Sequence, residues 1–97
     1  MVNKSEILSK LKENYIFLSE TFKVKKIGLF GSYVRNDQNS ESDIDILVEF
    51  SAPISLFEYI DLEDFLHSIL GNKVDLVSEK GLKPILKVNI LREVVYV

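Results

Sequence analysis

GSYVRNDQNSESDIDILVEF, residues 31–50, is the passage that decides how this chain folds. Its second half, DIDILVEF (43–50), alternates strictly. Ile44, Ile46, Val48 and Phe50 fall on one side of an extended strand, and Asp43, Asp45, Leu47 and Glu49 on the other. A strand so patterned lays one face on an apolar layer and leaves acid on the opposite face. Just upstream, VKKIGLFG (24–31) is short, apolar and β-prone and stops at its glycine, so it reads as a buried strand. Ser32 then opens a short helix, and the polar bridge NDQNSES (36–42) returns the chain to the second strand.

Working outward, NKSEILSKLKENYIFLSETF carries Ile7, Leu8, Leu11, Tyr15, Leu18 and Phe22 at helical spacing. Asn3 with Glu6 can cap its start, and the spacing predicts one helix from about residue 4 to 22. SLFEYIDLEDFLHSILG opens with a Ser55-x-x-Glu58 capping box, carries Leu56, Ile60, Phe65, Leu66 and Ile69, and stops at Gly71-Asn72. It predicts a second long helix. KVDLVS (73–78) predicts a third strand, with Val74 and Leu76 on one face and Asp75 on the other. LKPILKVNILRE (82–93) predicts a third helix with Pro84 in its first turn, and VVYV (94–97) a short strand at a sheet edge. The order implies an α/β (α+β) domain, 1–97, with a sheet of about four strands. Helices cover one face, and the face bearing the aspartates stays partly open. Loop lengths do not fix strand order or direction.

Composition narrows the function. Ninety-seven residues make one core, and 46% hydrophobic with 28% charged residues is ordinary globular usage. No apolar run approaches the roughly 20 residues of a membrane span, and MVNKSEILSKLKENY lacks the apolar centre of a secretion signal. With no cysteine and one histidine, His67, disulfides and thiolate metal sites are excluded and structural zinc is disfavoured. Cysteine usage fits the cytoplasm. Twelve basic against fifteen acidic side chains give −3, which argues against direct nucleic-acid binding. The lysines at 23, 25 and 26 and at 80, 83 and 87 read as solvated rims.

The aspartates carry the chemistry. Asp43 and Asp45 project from one face, roughly 6 to 7 Å apart, and two such charges repel unless a cation joins them. Oxygen ligands favour Mg²⁺ or Mn²⁺. Asp75 joins them if its strand pairs nearby, and three carboxylates can hold two ions about 3.5–4 Å apart. Taken alone, an Asp-x-Asp is more often an acidic strand start, and Gly31-Ser32 a turn with an N-cap. Together they read differently: a glycine at a strand end lets backbone approach a ligand, and Ser32 offers N–H and hydroxyl groups to phosphate. Arg35 can reach phosphate oxygens or fix one of the aspartates. No Walker-type phosphate loop occurs.

Gly31-Ser32, ten residues, then Asp43-Ile44-Asp45 resembles the GSx10DxD motif of the minimal nucleotidyltransferases. These are small members of the DNA polymerase beta-like nucleotidyltransferase superfamily, and many are MntA-like antitoxins of HEPN/MNT pairs. The resemblance extends to Arg35, Ser42 and Asp75 and spans nearly the whole chain. It implies the nucleotidyltransferase fold, with a small mixed sheet. It implies ATP as substrate, its triphosphate held by Gly31 and Ser32 with Arg35 as a further nucleotide ligand. It implies two Mg²⁺ (or Mn²⁺) held by Asp43, Asp45 and Asp75, the last as metal ligand or base. The acceptor would be a hydroxyl, a tyrosine's, on a HEPN ribonuclease toxin, which AMP disables. Where the family often has glycine and a small residue, this chain has Asn36 and Gln38. Two other readings stay open: a non-catalytic toxin-binding module, and a small-molecule nucleotidyltransferase. Tyr33 is read as half-buried packing or as an adenine stacker, and His67 as a surface or boundary residue.

Overall fold

In the computed structural model, which describes residues 2–97, the alternation in DIDILVEF becomes a strand, β2 (Ile44–Phe50). Around it lie α1 (Lys4–Glu13), α2 (Tyr15–Phe22), β1 (Val24–Phe30), α3 (Ser32–Arg35), α4 (Leu56–Leu70) and β3 (Val74–Ser78). A single 3₁₀ turn (Glu79–Gly81), α5 (Pro84–Glu93) and β4 (Val95–Tyr96) complete the chain. The sheet runs β3-β2-β1-β4 and is mixed: β2 pairs antiparallel with β1 and parallel with β3, and β4 pairs antiparallel with β1. This is the expected α/β architecture of four strands.

Ile44, Ile46 and Val48 of β2 are fully buried with Ile27 and Leu29 of β1, and Val74 and Leu76 of β3 join them. Ile7 and Leu11 of α1, Leu18 and Phe22 of α2, and Leu62, Leu66 and Leu70 of α4 close over that surface. Asp45, opposite in pleat to Ile44 and Ile46, is left on the far side. The parallel β2–β3 pairing is possible because α4 supplies the crossover that such pairs require.

The single helix expected over 4–22 is instead two. Asn14 has φ −100° and ψ 4°, and its Nδ2 donates to Lys10 O at 2.8 Å. The side-chain amide shares the Lys10 carbonyl with the Asn14 N–H, at 3.2 Å, where the run breaks. Ile7, Leu11, Leu18 and Phe22 still reach the core. In α4 the boundaries and the Ser55–Glu58 capping box are as expected, and of its expected apolar residues Leu66 is buried and Phe65 and Ile69 pack against the core, but Leu56 and Ile60 do not. Leu62, Leu66 and Leu70 face inward, whereas Leu56 is 71% exposed and Ile60 44%. At 3.6 residues per turn, positions 56 and 60 lie about 120° and 160° round from Leu62. The helix is apolar on several sides, so composition alone does not say which is covered. Pro84 opens α5 as expected, and the final strand is shorter than predicted, although Val97 N–H still donates to Ile27 O at 3.1 Å.

The stripe is testable: Leu66→Ala should cost about 3 kcal/mol of unfolding free energy in a urea titration. Leu56→Ala should change it by less than about 0.5 kcal/mol.

Candidate active site

Gly31 ends β1 at φ 81° and ψ −153°, a conformation that side chains rarely adopt. A Cβ built on it would fall on Asp45 Oδ2. Glycine is therefore needed for two reasons: the backbone turn and the close seat of the Asp45 carboxylate. The carbonyl of Gly31 accepts from Val34 N–H and Arg35 N–H, which fastens the turn to α3. Ser32, half-buried, is the first residue of that helix. Tyr33 is fully buried, and its hydroxyl accepts from Asn72 Nδ2 at 3.1 Å. It is core, not an adenine platform. Asn36 closes α3 at φ 62°, a left-handed position that asparagine tolerates. Glycine would meet the same backbone demand, so asparagine at this position is compatible with the turn.

Parallel register places Asp45 directly opposite Asp75, and antiparallel register places Phe30 on the other side of Asp45. The two carboxylates thus share one face of neighbouring strands. Asp45 is half-buried and Asp75 exposed. Burial raises the Asp45 carboxyl to about 6; the charges of Asp75 and then Asp43 add to the rise, and Arg35 opposes it. Asp43 lies one residue before β2, where its carboxylate pairs with Lys73 Nζ at 3.8 Å. Among the described residues no three His, Cys, Asp or Glu side chains converge closely enough to hold an ion as they stand. The register brings Asp45 and Asp75 together, with Asp43 at their margin. Such a donor set fits a hard divalent cation: all its ligands are oxygens, and a cation offsets the like-charge crowding that raises Asp45.

Arg35 is held by two acids. Its Nε donates to Asp37 Oδ2 at 3.2 Å, and its Nη1 to Glu93 Oε1 and Oε2 at 3.2 and 3.1 Å. Asp37 and Glu93 raise its pKa further above the ordinary arginine range. Glu93 also accepts from Gly31 N–H at 3.0 Å. Sequence reading places Glu93 only at the end of a helix, and no local pattern marks it, because its role depends on where α5 ends in space. A cavity of about 580 Å³ lies elsewhere, beyond the carboxyl ends of β2 and β3, and is lined by Phe50, Pro53, Ile54, Leu56, Tyr59 and Lys87 among others. None of the six candidate residues borders it.

The raised Asp45 pKa makes stability depend on pH. Its folded-state pKa of about 6 lies above the ordinary 3.8, so folding favours the protonated carboxyl. The resulting stabilisation is complete below about pH 4 and is lost as pH rises through about 6. Asp45→Asn removes the charge, so in chelator the variant should be more stable than the unaltered protein by about 1 kcal/mol near pH 7.5, after discounting for solvent screening. The gap should close near pH 4 in paired urea titrations.

A sequence model of the nucleotidyltransferase domain matches residues 5–97. The protein adenylyltransferase MntA of Thermococcus cleftensis is 46% identical over 97 residues, covering 100% of this chain and 98% of its own. A solved structure described as a minimal nucleotidyltransferase superposes with a TM-score of 0.79 at 34% identity, over 93% of this chain and 92% of that one. The MNT antitoxin bound to a tri-AMPylated HEPN toxin from Shewanella oneidensis gives 0.66 at 25% identity, over 94% and 70%. This chain belongs to the nucleotidyltransferase family, among its minimal, MntA-like members.

Proposed function

We propose that this chain is a protein adenylyltransferase that serves as an antitoxin. It moves AMP from ATP to a hydroxyl, a tyrosine's, on a cognate HEPN ribonuclease toxin and so neutralises it. The observation that carries this reading is the seating of Gly31 against Asp45, with Asp75 in register beside it. A turn suited to polyanions and a pair of acids suited to divalent cations share one corner of the sheet. The names of its relatives support the same reading: one is a protein adenylyltransferase, and another is an antitoxin solved with an AMPylated HEPN toxin.

In this mechanism residues 1–97 act as one domain. Gly31 N–H with the Ser32 N–H and hydroxyl binds triphosphate oxygens, and Arg35 adds a cationic contact. Asp43, Asp45 and Asp75 hold two divalent ions, Mg²⁺ or Mn²⁺, which when bound supply the positive charge that offsets the phosphates. The acceptor oxygen attacks the α-phosphorus in line; its bond to phosphorus forms as the bond to the β-phosphate oxygen breaks, and pyrophosphate leaves. The acceptor proton passes to the Asp75 carboxylate, which is open to solvent, and from there to water. The chain's contribution is positioning and charge balance rather than covalent catalysis. The acceptor's own protein supplies the wall against which the hydroxyl is presented. Reaction with ATP and with a partner that meets it in the cytoplasm completes the reading.

One observation favours a second reading, a module that blocks the toxin by contact alone: Asp43 pairs with Lys73 and stands apart from the Asp45–Asp75 pair. Labelled ATP and Mg²⁺ with purified cognate toxin separate the two. Label should appear on the toxin, and Asp43→Asn combined with Asp45→Asn should lower the rate about 100-fold or more. Toxin neutralised equally well by the double variant, with no label transferred, would establish the contact reading.

A further inference from the structure

Glu93 lies far in sequence from the motif, yet its carboxylate reaches the edge of the site. It accepts from Gly31 N–H at 3.0 Å and from Arg35 Nη1 at 3.2 and 3.1 Å. Its side chain is 27% exposed, at the rim of the site rather than sealed inside it. A backbone N–H and a guanidinium converging on a pair of anionic oxygens is the chemistry that recognises phosphate.

We propose that Glu93 is an internal stand-in for a nucleotide phosphate, filling the Gly31–Arg35 cradle in the free protein and leaving it when a triphosphate enters. The inference rests on the reading of Gly31, Ser32 and Arg35 as phosphate ligands. Three arguments support displacement over coexistence. Gly31 has one N–H, and Glu93 already takes it. Carboxylate and phosphate carry the same sign, so sharing the guanidinium would set them against each other at close range. The element that carries Glu93 is also lightly held. No side chain of α5 is buried, and Ile85, Leu86, Val88 and Leu91 are all at least 40% exposed. Few buried contacts make an element cheap to shift.

The movement has a limit. Beyond Glu93 the chain is pinned, since a side chain at Gly28 would lie 2.8 Å from Val94 Cγ2, and Val97 N–H bonds Ile27 O. Displacement is therefore confined to the Glu93 side chain and the last turn of α5, where Val94 N–H donates to Ile90 O at 2.9 Å. Glu93 sets nucleotide affinity, and it makes the end of α5 report whether the cradle is filled.

Calorimetric titration of the full chain with ATP and Mg²⁺ tests this. Glu93→Gln and Glu93→Ala should each bind ATP about tenfold more tightly than the unaltered protein, and adenosine, which has no phosphate, equally well. Ser32→Ala should weaken ATP binding. In the unaltered protein, saturating ATP should speed amide hydrogen exchange at Ile90–Val94, a readout that needs no variant to fold. If the Glu93 variants bind ATP no more tightly while Ser32→Ala still weakens it, or if ATP slows exchange at Ile90–Val94, the stand-in is overturned and Glu93 instead positions Arg35. If Ser32→Ala and Arg35→Ala both leave ATP affinity unchanged, the phosphate reading fails and the stand-in falls with it.

Discussion

Asp45 and Asp75 are set side by side by a parallel strand pair, and the rest of the domain accommodates that juxtaposition. Burial, with the repulsion of its neighbour on the adjacent strand added to it, pushes the Asp45 carboxyl up to about 6. Left to themselves they would not choose this register. The opposite face chooses it. Ile44, Ile46, Val74 and Leu76 are all buried, and each such side chain is worth roughly 1.5–3 kcal/mol. Slipping either strand by one residue would turn that whole set outward, because the side-chain period is two. Several kcal/mol of burial outweigh the cost of about 1 kcal/mol of seating a half-buried carboxylate beside another. The site is held in an unfavourable electrostatic arrangement by a hydrophobic layer that never touches a ligand.

A second constraint is the turn before α3. Four residues are too few to form a stable helix on their own, since the first turn costs more order than its hydrogen bonds return. What holds α3 is Tyr33, fully buried and accepting from Asn72, together with the left-handed Asn36 at its end and the Gly31 carbonyl at its start. Ser32 and Arg35 are presented by a segment whose rigidity comes from the residues between and beside them. Tyr33 therefore matters to the site through packing. Its position inside the motif invites a ligand role that its burial rules out.

Much of this was legible in the sequence, and the parts that were not share a cause. The alternation in DIDILVEF, the Ser55–Glu58 box, the Gly71 stop and Pro84 at the start of α5 are local signals, and each holds in the structure. The pairing of Asp75 with Asp45 needed their strands to be neighbours in this parallel register, which the sequence leaves open. What sequence could not show depends on relative placement. Nothing in KENYIF reveals that the Asn14 amide will take the Lys10 carbonyl and split the helix. An α4 apolar on several sides does not announce that Leu62, Leu66 and Leu70 face the core while Leu56 and Ile60 face out. Glu93 is the clearest case, a glutamate at a helix end whose partners are 62 and 58 positions away.

That long-range contact changes how Arg35 is understood. Three residues past Ser32, an arginine can serve phosphate or fix an aspartate, and sequence leaves both open. In the fold it is already committed to Asp37 and Glu93, while its charge still acts on Asp45 from nearby. Both roles are compatible with one side chain, because the guanidinium has five donors and the contacts seen here use only Nε and Nη1. None of the hydrogen bonds to Asp37 and Glu93 comes from Nη2, so the guanidinium keeps donors for a phosphate. The exchange of one anion for another then proceeds without Arg35 ever standing unpaired.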